Sequence, residues 1–247
     1  MDVEAFFTVH RDMPREGPGS DEATREAIRR LPSLPPSPRI LDVGCGPGRQ
    51  SLVLARELNA TVTAVDIFPH FLQGLRHRAS DAGMSDRIIT READMAELSD
   101  APGSFDVIWS EGSIYIVGFA TGLRLWRSLL RPGGFLVASE CTWIAENPPA
   151  EALEFWQGEY PGMTTIAENL KTATETGYQV LDNFTLPRSN WWDEYYHPLR
   201  QRIAELRAAG NLNPQLSQII AETEREIDIC DRFGETFAYV FYLMQKV

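Results

Sequence analysis

Between residues 39 and 140, short apolar or β-branched runs alternate with longer runs of helical period. Residues 39–43, 61–66, 87–91, 105–110 and 135–140 read as strands, and residues 48–58, 69–82 and 119–130 as helices. The first helical run places Leu52, Leu54, Ala55 and Leu58 on an apolar face, and Pro69 suits the first turn of the second. Alternation at this spacing makes βαβ units. Their right-handed crossovers put helices on both faces of one mostly parallel sheet. The expected fold class is α/β: a doubly wound, seven-stranded, mostly parallel sheet.

The flanking segments complete this reading. Ser20 caps a helix to about Leu31, with Asp21 and Glu22 at its positive end, and the proline-rich stretch 31–38 stops it. After 140, a helix over 165–176 is ended by Gly177, and residues 178–186 read as a strand. Residues 187–235 are charged and helical in pattern. Residues 236–246 alternate and form an antiparallel last strand. The expected organisation is an N-terminal segment and helix (1–36), a sheet core (37–186), a helical insertion or lid (187–235) and the final core strand (236–247).

With 247 residues, 43% of them hydrophobic, the chain can bury one sizeable core. A net charge of −12 repels phosphate backbones and argues against a nucleic-acid partner. Cys45, Cys141 and Cys230 are odd in number and widely spaced, so neither a disulfide framework nor a metal site is expected. The start, MDVEAFFTVHRD, is acidic and unlike a secretory signal. The longest apolar run, 237–244, is too short to span a bilayer. A cytoplasmic protein without a membrane partner is expected. The acidic helical stretch 222–231 is either a homodimer interface or a solvated face.

The sharpest local signal is Ile40-Leu41-Asp42-Val43-Gly44-Cys45-Gly46-Pro47-Gly48. A buried strand runs into a glycine turn that opens a helix. Such a turn lets the backbone approach a ligand and leaves helix N–H groups free beside it. The spacing is G-x-G-x-G, with the third glycine one residue earlier than in the dinucleotide pattern G-x-G-x-x-G. Asp66 closes the second strand, where a carboxylate accepts hydrogen bonds from ribose hydroxyls. A nucleoside-containing ligand is expected.

In these residues the chain resembles the class I S-adenosylmethionine-dependent methyltransferases, over roughly 37–186 plus the last strand. The resemblance implies a Rossmann-like fold, S-adenosylmethionine as cofactor and S-adenosylhomocysteine as product. It implies that Gly44, Cys45 and Gly46 pass close to the methionine moiety, that Asp66 holds the ribose and that Ile67 packs on adenine. Ala93-Asp94-Met95 is similar to the adenine-contacting motif, with Asp94 near the exocyclic amine. Phe105 to Ser110 is similar to the fourth-strand motif, and Leu130 to Phe135 to the turn before the fifth strand. Asp42, Gly48, Met95 and Ser110 complete the expected cofactor set. Trp109 to Tyr115, Gly17 to Ser20 and Trp192 to Tyr196 resemble a subgroup of small bacterial enzymes related to the ubiquinone and menaquinone biosynthesis type. Glu111-Gly112 departs from the quinone methyltransferases, where an aromatic or amide residue is more usual.

In-line transfer needs nucleophile, carbon and sulfur held in register, which is worth roughly 7–11 kcal/mol. The acceptor is expected to be a small molecule. Glu111 follows the fourth strand at the ligand-binding edge and is the first choice for a catalytic residue, with Tyr115 and His197 beside it. Tyr115, Trp143, Trp192, Tyr195 and Tyr196 are the expected acceptor-binding aromatics. Phe6 and Phe7 are placed to close over the cofactor. A module that binds cofactor without transfer, or a nicotinamide-dependent oxidoreductase, are the alternatives.

Overall fold

The computed structural model describes residues 2–11 and 13–247. Seven strands form one sheet in the order β3-β2-β1-β4-β5-β7-β6. They are β1 (Arg39–Val43), β2 (Thr61–Asp66), β3 (Ile88–Glu92), β4 (Phe105–Glu111), β5 (Leu130–Trp143), β6 (Tyr178–Thr185) and β7 (Phe237–Lys246). The first five pair in parallel, while β7 runs antiparallel to both β5 and β6. The expected doubly wound sheet with an antiparallel last strand is present.

Strands buried on both faces read as continuous apolar runs. Ile40, Leu41 and Val43 of β1 are fully buried. Each contributes about 1.5–3 kcal/mol on burial. On one face the sheet packs against α2 (Asp21–Arg30), α3 (Arg49–Glu57) and α4 (Pro69–Asp81), around Trp109, Leu54 and Leu75. On the other, α5 (Phe119–Arg127) and α7 (Ile166–Glu175) enclose Ile108, Trp126 and Tyr242.

A third apolar cluster lies at the carboxyl end of β5 and the start of β7, around Cys141, Trp143 and Phe237. It joins α1 (Val3–Val9), α6 (Ala150–Glu159), α8 (Ser189–Trp191), α9 (His197–Ala209) and α10 (Pro214–Phe233). A π-type turn over Trp192–Tyr196 links α8 to α9. The helical insertion therefore does not cap the sheet alone. The N-terminal α1 packs into it, and α6, which the sequence pattern did not reveal, completes it.

The boundary between α5 and β5 differs most from the pattern. The helix expected over 119–130 ends at Arg127, because Leu130 pairs with Phe105 ahead of a bulge and extends β5 backwards. Gly134 makes that close approach: a Cβ there would meet the Arg131 and Asp106 carbonyls at 3.0 Å.

The order of strands reverses between β1 and β4, which opens a crevice at their carboxyl ends. Gly48 begins α3 with φ +79°, and a Cβ on it would sit 2.5 Å from Leu75 Cδ1. A side chain there forces both a left-handed backbone and the withdrawal of α4. We expect Gly48→Ala to lower unfolding free energy by about 2 kcal/mol or more, as read from urea denaturation. An unchanged midpoint would contradict this packing.

Candidate functional site

A cavity of about 440 Å³ occupies the crevice. Its floor is the turn after β1. Gly44 takes φ +67°, and a Cβ there would fall 2.5 Å from Ser113 Cβ, so the turns after β1 and β4 touch. Ser113 secures the contact by donating to the Val43 carbonyl at 2.7 Å. Gly46, with φ +50°, opens onto the cavity: a Cβ there would meet only Glu16 Cγ, at 3.8 Å.

Asp66 ends β2 in the cavity wall. Its Oδ2 accepts from the Gly46 N–H at 2.8 Å and its Oδ1 from the Phe68 N–H at 2.9 Å. Burial raises its carboxyl above the ordinary range, and those two donors oppose the shift. Ile67, 54% exposed, and Met95 present apolar surface to the cavity, with Asp94 beside them. Asp94 Oδ1 accepts from the Ala96 N–H at 2.8 Å, which shapes the turn after β3. Cys45 also lines the cavity with its thiol buried, and burial pushes that thiol up.

Three expected cofactor residues lie outside the lining. Asp42 is fully buried beneath the turn, where it accepts from Ser51 Oγ and from Gln50 Nε2. Burial raises its carboxyl to about 7. Gln50 itself lines the cavity and donates to the Cys45 carbonyl at 3.0 Å, which places Asp42 one side chain behind the lining. Ser110 is buried against Ser113 at 2.7 Å. Gly48 serves the packing of α3 on α4.

The roof is the N-terminal segment. Phe6, Phe7, Pro14, Arg15, Glu16 and Pro18 cover the cavity. Phe6 and Phe7 stand where the sequence put them, whereas Arg15 and Glu16 were not anticipated. Arg15 joins roof to sheet, with Nη1 3.2 Å from Glu111 Oε2 and Nη2 3.0 Å from Asp21 Oδ1.

Glu111 borders the cavity but its oxygens are engaged. Besides Arg15, it accepts from Thr24 Oγ1 at 2.7 Å and from Trp109 Nε1 at 2.8 Å. Its side chain is 6% exposed. These three donors tie Glu111 to the roof segment, to α2 and to β4.

Tyr115 lines the cavity on the β4 side. Its ring meets Tyr160 edge-on at 5.6 Å, and Tyr160 donates to Glu140 Oε1. Glu140 is 1% exposed, and burial pushes it up to about 8. Its Oε2 has no partner. This carboxyl was not anticipated: it stands in an apolar run of β5, and Tyr160 lies 20 residues away in a turn.

The remaining expected acceptor residues pack the helical cap rather than the cavity. Trp143 stands edge-on to Phe237 at 6.0 Å. Tyr195 bonds His10 Nε2 at 3.2 Å, and Tyr196 donates to Glu226 at 2.7 Å. Trp192 lies beneath the Arg188 and Arg200 guanidinia. His197 has a 60% exposed side chain 3.6 Å from Asp193. We expect His197→Ala to change stability by no more than about 0.5 kcal/mol and ligand affinity not at all. A clear loss of either, by thermal melt or calorimetry, would return His197 to the site.

Among the described residues no group of three or more His, Cys, Asp or Glu is placed to hold a metal ion, and no helix is long and apolar enough to cross a membrane.

Residues 40–134 match the family model described as a methyltransferase domain. The chain is 31% identical over 178 residues to the 2-methyl-6-phytyl-1,4-hydroquinone methyltransferase of Synechocystis, covering 66% of this chain and 54% of that protein. It therefore spans about half the length of that relative. It is 25% identical to YjhP of Escherichia coli, itself uncharacterized, over 96% of this chain and 94% of that one. A methyltransferase structure from Thiobacillus denitrificans, in complex with S-adenosyl-L-homocysteine, shares the fold with a TM-score of 0.86 at 19% identity, over the whole of both chains.

Proposed function

We propose that this chain is a class I S-adenosylmethionine-dependent methyltransferase and that it transfers the methyl group to a small-molecule acceptor. One observation carries the reading: a single cavity holds the Asp66 carboxylate and the Gly44–Gly46 turn on one side and Tyr115 on the other.

The residues present fit the cofactor. Gly46 leaves a cradle that a side chain would fill, and Asp66 has lone pairs beyond its two backbone donors. Asp66 would take the ribose hydroxyls, Ile67 and Met95 the faces of adenine, and Gly44 and Cys45 the methionine portion. When bound, S-adenosylmethionine supplies a methyl group already activated on a sulfonium.

The chain's own contribution is orientation and exclusion of water. The roof segment covers the cavity, and Tyr115 orients an acceptor by its ring and hydroxyl. Tyr160 and Glu140 stand behind Tyr115 rather than in the cavity lining, and their contact supports the position of the Tyr115 ring. The charge of −12 and the roofed cavity support a small acceptor in preference to nucleic acid.

Calorimetry with S-adenosylmethionine, S-adenosylhomocysteine and NAD tests the cofactor. Methyl transfer to a panel of small phenols and amines then tests the activity. Micromolar binding of the first two, with turnover of one acceptor class, is the expected result. Binding without turnover of any acceptor would favour the module that binds but does not transfer, and tight NAD binding would overturn the reading.

A further inference from the structure

We infer that Glu16 is a cofactor-binding residue: from the roof segment it closes over the ribose subsite at Asp66 and accepts a hydrogen bond from the bound ribose. The inference rests on the cofactor reading above and adds a residue from outside the sheet to it.

Glu16 is held in place from both sides. Arg15 is fixed to Glu111 and Asp21, and Gly19 donates to the Asn190 carbonyl at 3.4 Å. Between these anchors the Glu16 side chain reaches over the glycine turn, its Cγ 3.8 Å from the position of a Cβ on Gly46. Gly46 is the residue whose N–H Asp66 accepts. Two carboxyl groups from distant parts of the chain thus flank one glycine in one cavity.

Glu16 Oε2 is buried and has no hydrogen-bond partner. A buried oxygen left in that condition costs about 1–3 kcal/mol, so its position calls for a donor. The neighbouring groups do not provide one. Arg15 holds Glu111 and Asp21 through its Nη atoms, Arg49 holds Asp21 through two bonds, and Arg78 Nη2 donates to the Pro47 carbonyl, while Arg15 Nε and Arg78 Nε, themselves buried and unpartnered, form no bond to Glu16. His70 packs its ring against Phe7 and Phe71, and the Tyr195 hydroxyl is engaged with His10. Two carboxyls that form no ion pair among the described residues suit a ligand with adjacent neutral donors. A vicinal diol has them, and a phosphate at this place is disfavoured by charge.

Proton linkage follows. Burial first, and the charge of Asp66 second, push the Glu16 carboxyl up to about 8, so at pH 7 it is mostly protonated. A ribose hydroxyl donating to Glu16 stabilises its ionised form and lowers its pKa in the complex. Binding must then release protons at pH 7. Affinity must rise as pH climbs towards 8 and level off above it.

The test is calorimetry of S-adenosylhomocysteine with the full chain at pH 7, in phosphate and in Tris. The difference in apparent enthalpy between the two buffers counts protons. We expect about half a proton or more released by the wild type, and affinity about tenfold higher at pH 8 than at pH 6. Glu16→Gln should bind more weakly, release markedly less, and show a flatter pH dependence, with the thermal midpoint checking its fold. Proton release unchanged in Glu16→Gln overturns the inference. So does a wild type that binds without releasing protons, a measurement that needs no variant. Failure of the wild type to bind S-adenosylhomocysteine at any pH overturns the cofactor reading itself, and the inference with it.

Discussion

Asp66→Ala is expected to weaken binding of S-adenosylmethionine by about 100-fold or more. A hydrogen bond to a charged acceptor is worth about 1.5–3 kcal/mol, and a ribose diol makes two with one carboxylate. Since about 1.4 kcal/mol is tenfold in affinity, the two together exceed two decades. The substitution also frees the Gly46 and Phe68 N–H groups that Asp66 now accepts, so the glycine turn loses its outer brace. Asp66→Asn separates the two effects. Its amide oxygen still accepts from one backbone donor but its NH₂ faces the other, and we expect an intermediate loss. Calorimetry with both variants gives the numbers. A change of less than tenfold in Asp66→Ala would mean that the ligand does not rest on the end of β2.

Glu111→Ala is expected to cost about 3–5 kcal/mol of folding stability. The Arg15 and Glu111 side chains are 7% and 6% exposed, and removal of one partner leaves the other buried. Arg15 keeps its bond to Asp21, which places the cost toward the lower end of that range. Thr24 and Trp109 lose their acceptor at the same time. Glu111→Gln retains an acceptor for those two and should be the milder change. Urea denaturation of both variants distinguishes this tether from a group held for chemistry. A catalytic carboxylate with no structural duty would leave stability within about 0.5 kcal/mol. We also expect Glu111→Ala to lower cofactor affinity, because Arg15 carries the roof segment to which Glu16 belongs.

These two residues show what kind of feature a sequence discloses. Asp66 was legible because its position depends on short-range order: a strand ends, the chain turns, and the carboxylate stands at the carboxyl edge of the sheet. The same holds for Gly44 and Gly46, whose neighbours along the chain already describe a strand–turn–helix. Glu111 occupies an equally plain position after β4, and its place beside the cavity was anticipated. Its duty was not, since Arg15 lies 96 residues away and Thr24 87 residues away. No local pattern announces that pairing.

The acceptor side repeats the lesson. Trp192, Tyr195 and Tyr196 form the densest aromatic run, yet they fill the interface between the helical cap and α1 because aromatic area is buried most effectively among other apolar groups. Glu140 stood unnoticed in an apolar strand, where a lone carboxyl looks like an error in the pattern until Tyr160 is seen to donate to it.

By itself the sequence determined the sheet, its mostly parallel pairing and the glycine turn after β1, since periodicity and glycine conformation act over a few residues. Only the tertiary structure decided which carboxyls are tethers and which are available. Burial, ion pairing and the closure of the N-terminal segment over Asp66 depend on groups that approach one another only when the chain has folded.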